Sequence, residues 1–181
     1  MLSVMTIIPA GSAVRSRGVR LGMAGIAAVV LAADQVAKSL VLAGHPADGT
    51  SLGWVTVRLA RNTGASGGIA SGYPVLVTLA ALVVTALAAG LAIRARSRAA
   101  ALCLAAVLGG ACGNLSDRLF RSPGFGRGGV VDWIHLGARG GSLDLADVAI
   151  QFGVLGAIIA MLAAERSRRT RRQEQADPQP R

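Results

Sequence analysis

Two aspartates in this chain stand where a charge is unfavourable and no basic partner is near in sequence. Asp132 interrupts the apolar run Val130–Ile134, and Asp147 lies about one turn inside an apolar stretch that starts near Leu143. A carboxyl without a partner in low-dielectric surroundings has a raised pKa. Two such groups brought together can share one proton, as in aspartic proteases: the ionised one activates water while the protonated one polarises a carbonyl. Other polar residues collect around the same chemistry. Asp34 and Lys38 are four apart with the acid first, the order that suits an ion pair on one helix face. Asn114, Asp117 and Arg118 are spaced i, i+3, i+4 and form one polar edge, and Asp144 stands close to Asp147. Taken alone, Asp117–Arg118, Asp34–Lys38 and Asp144 also read as helix caps and interfacial ion pairs. That reading fits Asp132 and Asp147 poorly.

The elements that would position these groups are membrane spans. Apolar residues make up 52% of the 181 residues, and the mean hydropathy of +0.54 lies beyond the usual soluble range. Crossing a hydrocarbon layer of about 30 Å takes roughly 20 residues. Four stretches qualify, at about 19–43, 73–93, 99–117 and 143–164. Asp34 falls about 20 Å along the first span from Arg20, the polar edge ends the third, and Asp147 lies just inside the fourth. The ionisable groups therefore converge on one depth, and ionisable groups within spans usually mark function.

Charge placement orients the bundle. Arg15, Arg17 and Arg20 precede the first span, Arg94, Arg96 and Arg98 join the second to the third, and Arg166, Arg168, Arg169, Arg171 and Arg172 follow the last. The positive-inside bias puts these segments and both termini in the cytoplasm, so the two long loops face outward. Trp54, Tyr73, Phe120, Phe125 and Trp133 lie on or beside those loops, as an interfacial belt would. Val55, Val57 and Leu59 alternate with Trp54, Thr56 and Arg58, which suggests a short strand at the membrane surface. Residues 1–18 and the basic tail 166–181 read as disordered cytoplasmic segments flanking one four-span domain, 19–165.

Several classes are disfavoured. The net charge of +10 does not form a basic stripe with interleaved aromatics, so nucleic acid is not the expected partner. Cys103 and Cys112 sit on opposite faces of one helix and cannot bridge within it, and no Cys/His cluster suggests a metal. Leu21 to Ala33 resembles the apolar part of a signal peptide, but Asp34 and Lys38 follow where a cleavage site should be. Gly109 and Gly113 form a GxxxG suited to close helix packing. His45 and His135 have no plausible co-ligand nearby in sequence. No Ser/His/Asp order, Walker loop or HExxH is present.

From about Leu21 to Ala164 the chain resembles the lipoprotein signal peptidases (signal peptidase II), bacterial membrane aspartyl proteases that process lipid-modified prolipoproteins. Asp34-Gln35-Val36-Ala37-Lys38 is similar to the family's DQxxK, and Arg61-Asn62-Thr63-Gly64-Ala65 to its RNxGA. Gly109 to Arg118, reading GGACGNLSDR, is similar to GGAxGNxxDR; Val130–Ile134 and Leu145-Ala146-Asp147 resemble VVDFI and the terminal NxAD.

The resemblance implies an all-α integral membrane fold of four helices with a small extracytoplasmic β-cradle, at about 51–72 and 118–134. It implies Asp132 and Asp147 as the catalytic dyad, with Asn62, Gly64, Asn114, Arg118 and Asp144 binding substrate and Asp34, Lys38 and Asp117 in support. The substrate would be a prolipoprotein cut just before its diacylglyceryl-modified cysteine by a monomeric enzyme of the bacterial cytoplasmic (inner) membrane. Its site would be extracytoplasmic, membrane lipids would be its surroundings, and no metal or organic cofactor is implied. Three departures stand out. Asp144 replaces the family's Asn, adding a third acid that would shift the dyad's titration. Ser66-Gly67-Gly68 replaces an aromatic, and the Arg118–Val130 insert is Gly-rich, as a mobile flap would be. The competing function is a proton-coupled transporter with Asp34, Lys38 and Asp147 as a relay. Transport sites usually lie at the midplane between repeats, and these acids lie toward one face.

Overall fold

The computed structural model of the chain describes residues 16–44, 49–65, 68–137 and 141–176. Each apolar stretch forms one helix: α1 (Arg17–Gly44), α2 (Pro74–Arg94), α3 (Arg98–Phe120) and α4 (Leu145–Ala176). All four are long and apolar enough to cross a membrane. Local chemistry sets their starts. Pro74 opens α2, where a missing N–H does no harm. The Ser97 side chain accepts from the backbone N of Ala100 to cap α3. Four short strands, β1 (Thr50–Leu52), β2 (Val55–Asn62), β3 (Val130–Leu136) and β4 (Ser142–Leu143), form one antiparallel sheet in that order.

Helix α3 packs against each of the other three. Its small residues allow this. A Cβ at Gly109 would come within 2.6 Å of the Ala27 carbonyl oxygen on α1, and one at Gly110 within 2.5 Å of the Ala146 carbonyl oxygen on α4. The expected packing role of Gly109 is thus met backbone to backbone. Large apolar side chains instead face outward, among them Leu82, Val83 and Leu87 on α2 and Phe152, Leu155 and Ile159 on α4. Such faces need hydrocarbon as their solvent.

The sheet sits at one end of the bundle, with β3 against α1 and α3. Gly53, at φ +73°, and Trp54 form the two-residue β1–β2 turn, since Leu52 pairs with Val55. Between β2 and β3, Val57 pairs with Ile134 but Ala60 pairs with Asp132, so β2 carries an extra residue beside Asp132. Bulges of this kind bend a strand and re-aim a side chain.

Three boundaries differ from the sequence expectation. Helix α3 continues to Phe120, and the second part of the sheet begins at Val130 rather than 118. The Gly-rich insert after α3 is tied down rather than free. Gly126 N donates to the Leu119 carbonyl oxygen at 3.3 Å and Gly128 N to that of Arg118 at 3.0 Å, satisfying the helix end. Gly128 is required there, because a Cβ would lie 2.2 Å from the Asp117 carbonyl oxygen. Helix α4 also runs on to Ala176, through residues expected to be disordered. Extending an existing helix needs no new nucleus, and Glu165 pairs with Arg169 at 3.1 Å on its exposed surface. Residues 1–15, His45 and the Ser66-Gly67 departure lie outside the described residues.

Candidate active site

Where the sheet meets the bundle, residues from α1, α3, β3 and the start of α4 enclose a buried polar cluster. Its centre is Lys38. The ammonium lies 2.8 Å from Asp34 Oδ2, 2.8 Å from Asp117 Oδ2 and 2.6 Å from Asp144 Oδ2, and all four side chains are fully buried. It also donates to Asn114 Oδ1 at 3.1 Å. A buried cation is tolerable only when its donors are satisfied by charge and hydrogen bonds, as here.

The carboxylates around Lys38 join elements that are remote in sequence. Asp34 Oδ1 accepts from Ala146 N at 3.0 Å, tying α1 to the first turn of α4. Asp117 Oδ2 accepts from Val131 N at 3.3 Å, tying α3 to the strand that carries Asp132. Gly113 leaves room for this arrangement, since a Cβ there would be 2.6 Å from Asp34 Oδ2. Gln35 and Arg121 close the network from outside. Gln35 Nε2 donates to Asp117 Oδ1 at 3.2 Å, and Arg121 Nε pairs with the same oxygen at 2.5 Å.

Asp144, which the resemblance implies would bind substrate, lies inside this cluster. It is buried against Lys38, and its Oδ1 accepts from Asp147 N at 2.7 Å, the geometry of an N-cap on α4. Asp117 likewise pairs with Lys38 and Arg121 rather than with Arg118.

Asp132 and Asp147 come together. Carboxylate oxygens of Asp132, Asp144 and Asp147 all lie within 4.8 Å of one another. Two oxygens each about 2.8 Å from one water are at most about 5.6 Å apart, so the Asp132–Asp147 gap admits a single shared water. Asn114 orients one side of the pair. Its Nδ2 donates to Asp147 Oδ1 at 3.0 Å while its Oδ1 faces Lys38, which leaves one amide orientation. Ser142, on β4, donates to Asp132 Oδ2 at 2.9 Å. Burial raises the Asp132 carboxyl to about 6; the Ser142 hydrogen bond opposes this and the Asp147 charge adds to it. Asp132 Oδ1 is buried with no partner among the described residues.

Arg118 borders the pair. Its Nη2 donates to the Gly64 carbonyl oxygen at 2.8 Å, and its buried Nη1 has no partner among the described residues. Gly64 is held in turn by Asn62, whose Oδ1 accepts from Gly64 N at 3.0 Å. No side chain fits at Gly64, because a Cβ would lie 2.5 Å from the Ile69 carbonyl oxygen. Ser142, Gln35 and Arg121 were assigned no role from sequence. Gln35 lies within a recognised block, but nothing in the spacing of Ser142 points to Asp132. The three clustered carboxylates are near enough to hold a metal ion, yet Lys38 already supplies the cation at Asp144.

A sequence profile of the family described as Signal peptidase (SPase) II matches residues 26–163. The chain belongs to the signal peptidase II family. The matched segment contains every member of the buried cluster. Among relatives of this chain, the lipoprotein signal peptidase of Leifsonia xyli subsp. xyli is 35% identical over 77% of the chain and 66% of its own length. That of Rhodococcus jostii is 42% identical over 65% and 61%, and that of Streptomyces griseus subsp. griseus 36% over 79% and 73%. The chain thus spans less than two thirds of the first two relatives' length. The fold is similar to a structure titled "Bacterial membrane enzyme structure by the in meso method at 2.3 A resolution". The TM-score is 0.67 at 22% identity, covering 88% of this chain and 92% of that one. A second structure, titled in the same way at 1.9 Å, gives a TM-score of 0.65 at 25% identity over 77% and 92%. Four apolar helices with a small antiparallel sheet are therefore the fold that this chain shares with those structures, the frame of a multi-pass membrane protein.

Proposed function

We propose that this chain is an aspartic endopeptidase of the bacterial cytoplasmic membrane. It removes the signal peptide from diacylglyceryl-modified prolipoproteins, cutting before the lipidated cysteine. The observation that carries this reading is the approach of Asp132 and Asp147 to within 4.8 Å at one end of an apolar bundle. The dyad shares one proton. The ionised carboxylate takes a proton from the water between them as its oxygen attacks the scissile carbonyl, and the protonated partner donates to the carbonyl oxygen. Collapse of the tetrahedral intermediate breaks the C–N bond, and a dyad proton passes to the leaving amine. Arg118 Nη1 and Asp132 Oδ1, both buried and unpartnered among the described residues, are a donor and an acceptor free to meet the peptide. Asn62 and Gly64 support the loop against which Arg118 is set.

The sheet end faces outward in this proposal, because the arginine-rich segments occupy the other end. Acyl chains on the substrate cysteine then anchor the scissile bond at dyad depth. Burial at about 0.8 kcal/mol per CH₂ makes the lipid the dominant source of substrate retention. The transporter reading lacks support, since the acids gather at one end rather than between repeats at the midplane. The test is cleavage of matched precursors, lipidated and unlipidated, by purified protein in detergent, with the new N-terminus read by mass spectrometry. Cleavage before the modified cysteine, much faster for the lipidated form, is expected. Equal rates for the two forms would remove the lipid from the account.

A further inference from the structure

The opposite end of the bundle carries a second concavity. A cavity of about 700 Å³ opens between the last turn of α2, the connection into α3 and the C-terminal part of α4. Its charged lining is one-sided: Arg94, Arg96, Arg168, Arg169 and Arg172 surround a single carboxylate, Glu165. That carboxylate is already paired with Arg169 at 3.1 Å. Arg168, Arg169 and Arg172 follow Glu165 at i+3, i+4 and i+7, so α4 presents them on one face. Ser97, the N-cap of α3, lines the same space, which adds the positive end of a 23-residue helix. Guanidinium groups gathered in one concavity repel one another, and planar forked donors of this type match phosphate oxygens.

Depth decides which phosphate. The apolar part of α2 ends at Ile93 and that of α4 at Ala164, so charge resumes at Arg94 and Glu165 on the two helices together. Each apolar part is about 30 Å long at about 1.5 Å per residue, the thickness of a hydrocarbon layer. The arginines therefore stand at headgroup level. Leu91 and Met161, about one turn back on each helix, also line the cavity and are exposed. The wall thus grades from guanidinium to hydrocarbon, as a phosphodiester above acyl chains does. Free phosphate would make no use of the apolar part.

We propose that this cavity binds the phosphate headgroup of an anionic phospholipid, held by Arg168 and Arg172 of α4 and Arg96 of the α2–α3 connection. The site is separate from Asp132 and Asp147 and rests only on the four helices crossing a bilayer. Native mass spectrometry of the full chain in neutral detergent, with phosphatidylglycerol or phosphatidylcholine at equal mole fraction, measures it. The wild-type protein should retain phosphatidylglycerol roughly tenfold better. Arg168→Gln with Arg172→Gln should bring the two lipids near parity, and Arg96→Gln, on a separate element, should weaken the preference independently. The control, Arg166→Gln with Arg171→Gln, removes the same charge from α4 outside the cavity and should keep the preference. Equal retention by the wild type, an equal loss in the control pair, or displacement of the lipid by excess inorganic phosphate would each overturn the proposal.

Discussion

Lys38 Nζ and Asp144 Oδ2 lie 2.6 Å apart, fully buried, where the family pattern has an Asn in place of the acid. Asp144 also caps α4 through Asp147 N at 2.7 Å, so it fixes the backbone of one member of the proposed dyad. Asn has one acceptor oxygen, which can keep the cap on Asp147 N, while its amide nitrogen cannot accept from Lys38; Asp34, Asp117 and Asn114 still hold the ammonium. Asp144→Asn should fold and keep activity within a few-fold of wild type. Asp144→Ala loses the cap, at about 1 kcal/mol, and leaves Lys38 short of a partner, so it should be less stable and slower. Thermal midpoints and cleavage rates of the two variants, measured side by side, check this ordering.

Lys38 is the one ammonium among Asp34, Asp117 and Asp144. Replacing it with Met would leave three buried carboxylates to repel one another. Breaking a buried ion pair from one side costs roughly 3–5 kcal/mol. Lys38→Met should be recovered in low yield with a markedly lowered melting temperature, and its residual activity per folded molecule should be small.

Gly113 tests the coupling of α1 to α4. An added methyl would meet Asp34 Oδ2 at 2.6 Å and push that carboxylate off Ala146 N. Gly113→Ala should insert in the membrane at normal levels but cut substrate several-fold to many-fold more slowly, because the first turn of α4 positions Asp147. A wild-type rate would mean that the Asp34 contact does not position the dyad.

In the proposed mechanism, Asp132 sets the pH dependence. Its carboxyl is raised to about 6 by burial, so the shared proton is present below that pH and is lost as pH rises through it. The rate on unbound substrate, kcat/KM, should therefore fall on the alkaline side with an apparent pKa near 6. Ser142 donates to Asp132 Oδ2 and favours the ionised form. Ser142→Ala removes a hydrogen bond to a charged group, about 1.5 kcal/mol, and should move the alkaline limb upward by about one pH unit. A downward shift would contradict the assignment.

The four spans and the convergence of the acids on one depth were legible because lipid imposes simple conditions. A span needs an unbroken apolar length, and a charge within it stands out against that background. The pairing of Asp34 with Lys38 followed from their four-residue spacing. What spacing could not supply were contacts between remote elements. Asp144 finds Lys38 across 106 positions of sequence, and Ser142 finds Asp132 only because β3 and β4 pair in one register. The bulge beside Asp132 was hidden for the same reason. The run of α4 through Ser167–Ala176 was missed because composition alone argues for solvation, whereas an established helix extends readily through Arg, Gln and Ala.

The central claim is that Asp132 and Asp147 act as one unit on a shared water. The most direct measurement is the maturation of a lipid-modified precursor in cells carrying Asp132→Asn or Asp147→Asn as the sole copy, followed on a gel with membrane levels of each variant. Both variants should be present at wild-type levels while uncut precursor accumulates, with rates reduced at least about 10²–10⁴-fold. Normal maturation in either variant would contradict the dyad.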